Sequence, residues 1–484
     1  MKTTKFILFQ IMIFMLTSGL SAQIKLPSIF SNGMVLQQQS NVAIWGKAKP
    51  ASAITLITSW DNVTYSVKSK NDSTWRIKVK TPVAGGPYSI SIKNNTEIVL
   101  SDILIGEVWL ASGQSNMEMP LKGFKDQPVR NATQLIEKAQ NSKIRFFDVE
   151  NVSWQKPLDN CNGVWKPSTP ENATNFSAVA YLFACNLYDL LEIPVGIVQS
   201  DWGGTPVEAW MSADELSTYS GITIPREKSM ANKDKKAPAG LYNGMIHPIA
   251  GYGIKGAIWY QGEQNRDNPE LYSKLFPDMV KQWRLEWGIG DFPFYYAQIA
   301  PYLFKRSTNI PENQRLLEPK VPVLRESQLK SEKKIKNSGM AVLMDAGEEK
   351  TIHPSDKQSV GDRLFYLAKA KTYGVPDTKY SGPVYSKMKV EENKIRLFFK
   401  FAEDGLQLKG NTSKNFEIAG NDRVFYPAKV EIKGSEIIVW LDKVNKPAAV
   451  RYAFKAWCIG DLYNSAGLPA SSFRTDNWKT GKVK

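Results

Sequence analysis

One stretch decides how this chain is expected to fold: Glu107-Val108-Trp109-Leu110-Ala111-Ser112-Gly113-Gln114-Ser115-Asn116. Its apolar run is typical of a buried strand, and the glycine that follows is typical of a sharp turn. Ser115 then stands at the carboxyl end of that strand. Active sites of open α/β sheets lie at the carboxyl ends of the strands. The stretch therefore predicts an α/β sheet with a serine hydroxyl at its functional edge.

Further apolar runs follow this stretch, with helical patterns among them. The runs cover residues 195–199, 257–260, 294–299 and 340–344. The helical patterns cover residues 177–191, 272–287 and 360–373. Strands that alternate with helices predict a mostly parallel sheet covered on both faces, so the expected fold class is α/β.

Short strands dominate both ends of the chain. Residues 23–100 contain alternating apolar and polar segments separated by turn residues, which is typical of a small antiparallel β domain. Similar segments return after Pro376, at residues 394–399, 429–432, 437–441 and 450–454. We therefore predict an N-terminal β domain over residues 23–100, a central domain over 101–375 and a C-terminal β domain over 376–484.

The first 22 residues predict a signal peptide. Lys2 and Lys5 precede an apolar run over residues 6–16, and small residues lead up to Ala22. This order of basic start, short apolar core and small residues precedes a cleavage site. The run is too short to span a bilayer comfortably. We predict cleavage near Ala22, export to the periplasm or the medium, and no transmembrane segment in the mature chain.

Composition narrows the expected partners. The 484 residues carry a formal net charge of +15 at pH 7, but the basic residues are dispersed. No nucleic-acid-binding motif accompanies them, so we expect no nucleic-acid partner. The three cysteines lack the Cys-x-x-Cys spacing of zinc sites, and we expect neither a metal nor a cofactor. Oligomeric state is not decided by any of these features.

The chain contains only two histidines, His247 and His353, so it has only two histidine candidates for a catalytic base. A serine nucleophile needs a base, and histidine is the usual one. His353 follows the run over residues 340–344, whereas His247 lies in a predicted loop. We therefore predict that His353 takes the proton of Ser115.

Acyl transfer also needs donors for the oxyanion of the tetrahedral intermediate. Two more segments follow predicted strands, at residues 200–205 and 259–263. The candidate donors are the backbone N–H of Ser115, that of Gly203 or Gly204, and the side-chain amide of Gln261. Each segment alone could be a helix cap or a turn, but their joint occurrence at strand ends favours a serine hydrolase.

Two other functions fit parts of the same sequence. A non-catalytic glycan-binding protein would use the β domains and stack sugars on some of the 14 Trp, 19 Tyr and 21 Phe. A glycosidase would need paired carboxylates. Glu118 and Glu263 have no evident partner role in such a pair, and a glycosidase would leave the serine and histidine segments unexplained.

Motifs through most of the chain resemble the sialate O-acetylesterase family, carbohydrate acetylesterases of the SGNH-hydrolase superfamily. They lie at residues 26–38, 106–117, 202–206, 241–245, 258–263, 352–354 and 360–364. The resemblance implies an SGNH-hydrolase-like three-layer α/β/α domain, flanked by β-sandwich-like domains. It also implies acetyl esters on sugars as substrates, with sialic acid and plant polysaccharide fragments equally allowed.

The resemblance implies roles for individual residues as well. Ser115 would be the nucleophile and His353 the base, with the segments of Gly203, Gly204 and Gln261 as the oxyanion hole. The candidate orienting residues of the active-site loop are Glu263 and Asn116.

The group that orients His353 is left open by the sequence. Superfamily members often carry Asp-x-x-His, whereas Lys350 stands three residues before His353 here. The nearby acids are Glu348, Glu349 and Asp345. Alternatively, a backbone carbonyl of the same loop could accept the Nδ1–H of His353 and leave a Ser–His dyad.

Overall fold

The computed structural model describes residues 23–225, 234–304, 320–410 and 412–478. The predicted signal peptide, residues 1–22, lies outside these ranges. Within them, no helix is both long and apolar enough to cross a membrane. The protein is a mixed α/β structure with one large sheet and several smaller ones.

The longest strand joins the N-terminal strands to the central sheet. The first seven strands are β1 (Val35–Gln37), β2 (Asn41–Lys47), β3 (Ala53–Thr58), β4 (Thr64–Lys68), β5 (Thr74–Lys80), β6 (Gly85–Lys93) and β7 (Glu97–Gly113). The first part of β7 pairs antiparallel with β6 and parallel with β1. Its second part pairs parallel with two strands of the central sheet. One continuous strand therefore crosses position 100, where the sequence predicts a domain boundary.

The central sheet is mostly parallel, as predicted. Its other strands are β8 (Asn141–Asp148), β9 (Trp165–Ser168), β10 (Val195–Asp201), β11 (Gly256–Tyr260), β12 (Phe294–Ala297) and β13 (Ser338–Ala341). The strand order is β13-β12-β11-β7-β10-β8-β9, and only the edge pair β8–β9 is antiparallel. Gly113 is in register with Asp201 on one side and Tyr260 on the other. The carboxyl ends of β7, β10 and β11 therefore lie side by side.

Helices connect these strands. In the described ranges they are α1 (Ser115–Glu118), α2 (Ala132–Glu137), α3 (Pro170–Ala173), α4 (Ala178–Leu191), α5 (Ala213–Leu216), α6 (Pro269–Trp287), α7 (Lys320–Ser331) and α8 (Gln358–Leu367). The hydroxyl of Ser177 caps α4 by accepting the N–H of Ala180 at 3.2 Å. Helix α4 packs closely on α8, because a Cβ atom at Gly361 would lie 2.7 Å from Cβ of Leu182. This packing holds the loop before α8 against the sheet.

Antiparallel strands return at the C-terminal end. They are β14 (Val384–Glu391), β15 (Lys394–Lys400), β16 (Leu406–Leu408), β17 (Phe416–Gly420), β18 (Phe425–Pro427), β19 (Lys429–Lys433), β20 (Glu436–Trp440), β21 (Pro447–Tyr452), β22 (Leu462–Asn464) and β23 (Phe473–Arg474). They form two four-stranded sheets, β14-β15-β20-β19 and β18-β17-β21-β23, and the small pair β16-β22. The four segments predicted as strands overlap β15, β19, β20 and β21.

A buried arginine ties these strands to the central part of the protein. Arg325 of α7 is fully buried, and its guanidinium donates to the backbone carbonyls of Lys455 and Ala456 at 2.5 and 2.9 Å. The N–H of Gly460 donates to the carbonyl of Met344, just beyond β13, at 2.8 Å. The C-terminal strands are therefore packed directly against the elements that carry the candidate site.

Candidate active site

Ser115 lies immediately beyond the end of β7, where the chain turns out of the sheet. Gly113 has a φ of 144°, and a Cβ atom there would lie 2.2 Å from the carbonyl oxygen of Tyr260. The N–H of Gln114 donates to that same oxygen at 2.9 Å. Only glycine fits such a close approach between two strands. The turn therefore places the hydroxyl of Ser115 at the carboxyl edge of the sheet.

His353 reaches Ser115 from the loop between β13 and α8. Its Nε2 lies 2.8 Å from Oγ of Ser115, and its Nδ1 lies 2.6 Å from Oε1 of Gln127. An amide oxygen can only accept, so Nδ1 carries the hydrogen and the lone pair of Nε2 faces the serine hydroxyl. Burial, followed by the charge of Lys357, lowers the pKa of His353 to about 4. The imidazole is therefore neutral at neutral pH and can accept the proton of Ser115.

Gln127 is a member of this arrangement that the sequence analysis did not identify. Two backbone hydrogen bonds of 3.0 Å between Phe124 and Gln127 close the short loop that carries it. The hydroxyl of Thr351 donates to the same amide oxygen at 3.1 Å, and the ring of Phe124 packs against His353 with 5.1 Å between centroids. A glutamine in a loop is a common feature, and no motif marks this one.

Among the described residues, none of the three acids suggested by the sequence contacts the ring of His353. Asp345 forms a two-point ion pair with Arg363, with distances of 2.7 and 2.8 Å. Glu348 accepts the N–H of Ser355 at 2.7 Å, and Glu349 is exposed. In the described ranges, the group at Nδ1 of His353 is thus a side-chain amide. It is neither a nearby acid nor a backbone carbonyl.

The candidate oxyanion donors differ in what they already bind. The N–H of Gly203 donates to the carboxylate of Glu118 at 2.7 Å. The amide nitrogen of Gln261 donates to the carbonyl of Thr205 at 3.1 Å and to Oδ1 of Asn265 at 2.7 Å, so both of its hydrogens are used. Gln261 is fully buried and braces the turn that carries the two glycines.

That turn lies directly beside the serine. A Cβ atom on Gly203 would be 2.9 Å from Cβ of Ser115, and Gly204 has a φ of 75°. Among the described residues, the backbone N–H groups of Ser115 and Gly204 have no hydrogen-bond acceptor. These two N–H groups are therefore available to a ligand oxygen.

A buried hydrogen-bond network joins α1 to the loop before α8. Nδ2 of Asn116 donates to Oε1 of Glu263 at 2.7 Å and to the carbonyl of Ile352 at 3.0 Å. Nζ of Lys357 donates to Oδ1 of Asn116 at 2.6 Å. Burial raises the pKa of Glu263 and lowers that of Lys357 to about 7. Of the two orienting candidates, Asn116 thus contacts the backbone beside His353, and Glu263 contacts the side chain of Asn116.

Three more carboxyl groups gather behind Gly203. Burial raises the pKa of Glu118, raises that of Asp148 to about 6 and raises that of Asp201 strongly. The charges of Asp148 and Glu118 raise the pKa of Asp201 further, and its buried Oδ2 has no hydrogen-bond partner among the described residues. Burial and the neighbouring negative charges therefore both favour the protonated form of Asp201.

The second histidine lies apart from this arrangement. Nδ1 of His247 lies 2.9 Å from the carbonyl oxygen of Leu158, at the start of the turn His247–Ile249. The structure thus brings together Ser115 and His353, as the sequence predicts, and leaves His247 outside this arrangement, at the start of a short 3₁₀ helix.

Several known proteins are similar in sequence to this chain over most of its length. A family model described as carbohydrate esterase, sialic acid-specific acetylesterase, matches residues 105–343. Human sialate O-acetylesterase is 31% identical over 92% of this chain and 91% of its own length. The chain belongs to the sialate O-acetylesterase family. The rat sialate O-acetylesterase is 30% identical over 94% of this chain and 95% of its own length.

Membership of the sialate O-acetylesterase family makes the protein a carboxylic ester hydrolase and not a non-catalytic glycan-binding protein. The likeness extends to three dimensions. A carbohydrate acetylesterase from Xanthomonas citri is 35% identical, matches 94% of this chain and 100% of its own, and superposes with a TM-score of 0.84. The likeness therefore includes the terminal β strands as well as the central sheet, and the resemblance predicted from the motifs is confirmed.

Proposed function

We propose that this member of the sialate O-acetylesterase family is an exported serine esterase. It removes O-acetyl groups from carbohydrates through an acetyl-serine intermediate. The observation that carries the proposal is the line of contacts from Ser115 Oγ to His353 Nε2, at 2.8 Å, and from His353 Nδ1 to Gln127, at 2.6 Å. A nucleophile, a base and an acceptor that orients the base are the parts that acyl transfer requires.

The reaction proceeds in two balanced steps. Oγ of Ser115 attacks the acetyl carbonyl carbon while Nε2 of His353 accepts the hydroxyl proton. The bond between that carbon and the sugar oxygen breaks, and His353 returns the proton to the sugar oxygen. Water then attacks the acetyl carbon of the acetyl-serine while Nε2 of His353 accepts a proton from it. The bond between that carbon and Oγ of Ser115 breaks, His353 returns the proton to Oγ, and acetic acid leaves.

The oxyanion of each step binds to the backbone N–H groups of Ser115 and Gly204. Their availability supports this assignment, because the N–H of Gly203 is already held by Glu118. Glu118 and Gln261 then have a supporting role, since each fixes one side of the turn. Removing one oxyanion donor typically costs about 100- to 1000-fold in turnover.

The wider organisation is part of the same proposal. Residues 1–22 direct export, residues 101–375 form an SGNH-type layered domain, and the β strands on both sides support it. Two relatives, a sialate O-acetylesterase and a carbohydrate acetylesterase, favour an acetylated sugar as substrate. Sialic acid and plant oligosaccharides are the two candidate substrate classes. Comparing the rates of acetate release from acetylated sialic acid and from acetylated plant oligosaccharides distinguishes them.

The proposal is tested by acetate release from acetylated sugars with Ser115→Ala and His353→Ala. Each change removes a reacting group, so we expect turnover to fall by at least about 1000-fold. His247→Ala is the matched control, because it removes the only other imidazole and should keep the wild-type rate. Near wild-type turnover in either Ser115→Ala or His353→Ala would refute the mechanism. A serine-reactive phosphonate should label wild-type protein and leave Ser115→Ala unlabelled.

A further inference from the structure

Lys357 is a fully buried lysine beside the candidate site. It immediately precedes α8, and its Nζ lies 5.9 Å from the centre of the Tyr260 ring at the end of β11. Burying an ammonium group is costly unless it is paired. The esterase steps above do not use Lys357, so its position needs a separate explanation.

The direct partner of the ammonium is an amide and not a carboxylate. Nζ donates to Oδ1 of Asn116 at 2.6 Å. The negative charges that act on Lys357 come from Glu263, Glu348 and Asp356. Among the described residues, none of the three forms an ion pair with it. The three carboxylates therefore act on Lys357 from a distance, and its short hydrogen bond is to Asn116.

That contact decides which way the amide of Asn116 points. With Oδ1 facing an ammonium group, Nδ2 must face Glu263 and the carbonyl of Ile352, at 2.7 and 3.0 Å. Asn116 follows the nucleophile in sequence, and Ile352 precedes the base. The orientation of one amide thus sets the spacing between the two reacting side chains.

The charge of Lys357 also reaches His353. The groups that contact the imidazole are Ser115, Gln127 and the ring of Phe124, and all are uncharged. Lys357 is the charged residue whose repulsion lowers the pKa of His353, after the larger effect of burial. A nearby positive charge favours the neutral imidazole.

We propose that Lys357 is a positioning residue: it locks the Asn116 amide between the serine and histidine segments. The inference rests on the proposed esterase mechanism. Its test, however, uses the NMR spectrum of the histidine side chains. That measurement requires no turnover, so it reports on Lys357 even if the proposed esterase mechanism is wrong.

The experiment is an NMR titration of the two imidazoles, assigned with His247→Ala. We expect His353 in the wild type to titrate far below the ordinary histidine value of about 6.5. In Lys357→Met the positive neighbour is gone, so its midpoint should rise by about one pH unit. The acid limb of kcat/KM for 4-nitrophenyl acetate should rise equally, and kcat should fall about 10-fold or more, with KM within about twofold.

Lys350→Met is the matched control, because Lys350 lies in the same loop but is exposed. It should leave both the midpoint and the acid limb unchanged. A folded Lys357→Met protein with an unshifted His353 midpoint and wild-type kcat overturns the proposal.

Lys357→Met removes one of the two positive charges, Lys357 and Arg266, that act on the buried carboxylate of Glu263, so a second variant guards against loss of the fold. The double variant with Glu263→Gln removes both charges and keeps an acceptor for Asn116, so it is the second variant, with the same expected shift. The wild type supplies an independent measurement. The chemical shift of His353 should show a second inflection with pH as Lys357 loses its proton. If this second inflection is absent between about pH 5 and pH 10, the proposal is contradicted.

Discussion

At the residue scale, the base of the candidate site faces an amide oxygen where many serine hydrolases have a carboxylate. The sequence predicted Ser115 and His353 as nucleophile and base, because strand-end positions and a histidine count are local properties. It could not identify Gln127, which meets His353 only after two loops fold together. The missing acid before His353 was a visible signal, but what replaces it depends on tertiary contacts.

Replacing Gln127 tests its role directly. Gln127→Ala leaves the Nδ1–H of His353 without its acceptor, and we expect kcat to fall about 10- to 100-fold. Gln127→Glu places a carboxylate there, so the pKa of His353 and the acid limb of the rate profile should move upward. Exposed Gln134→Ala is the control and should behave as wild type. Unchanged kcat in Gln127→Ala would show that the amide does not orient the base.

At the element scale, the site depends on the carboxyl ends of three adjacent parallel strands. The apolar runs predicted β7, β10, β11, β12 and β13, because a buried parallel strand is apolar on both faces. Strand β8 was not predicted from the sequence, since its first residues are polar and exposed. The length of β7 was also missed, because its first part follows the alternating pattern of the N-terminal strands.

Gly113→Ala tests the turn at the end of β7. The new Cβ atom would clash with the carbonyl of Tyr260, so we expect the free energy of unfolding to fall by about 2–3 kcal/mol. Turnover should fall about 100-fold, because a small displacement of the nucleophile is costly. Gly288→Ala is the control: it has a φ of 62° but no atom within 4 Å of the new Cβ, and should cost about 1 kcal/mol without loss of turnover. Equal costs at both positions, measured by chemical denaturation, would argue against the close approach.

At the scale of the whole molecule, the β strands on both sides are built into the central part. Strand β7 is shared with the N-terminal strands, and Arg325 ties α7 to the C-terminal strands. Many large aromatic side chains, such as Trp109, Trp259 and Trp283, are fully buried, so much of the aromatic content serves the core. The domain limits at residues 100 and 375 stay a prediction.

Arg325→Met tests the connection to the C-terminal strands. It leaves the carbonyls of Lys455 and Ala456 without their donor, and we expect a loss of about 2 kcal/mol in the free energy of unfolding. Lys330→Met on the same helix is 61% exposed at its side chain and should change stability by no more than about 0.5 kcal/mol. Denaturation curves compare the two. A loss in Arg325→Met as small as that in Lys330→Met would mean that the buried contact does not hold the two parts together.

The sequence by itself determined the α/β class, the strand end at Gly113 and the family, and it predicted Ser115 and His353 as the candidate nucleophile and base. Each of these depends on a local pattern or on a motif contained in one segment. The tertiary structure alone decided that Gln127 contacts Nδ1 of His353, that Glu118 occupies the N–H of Gly203, and that Lys357 binds Asn116. These contacts join side chains far apart in the chain, and which donor meets which acceptor is settled only when the loops pack on the sheet.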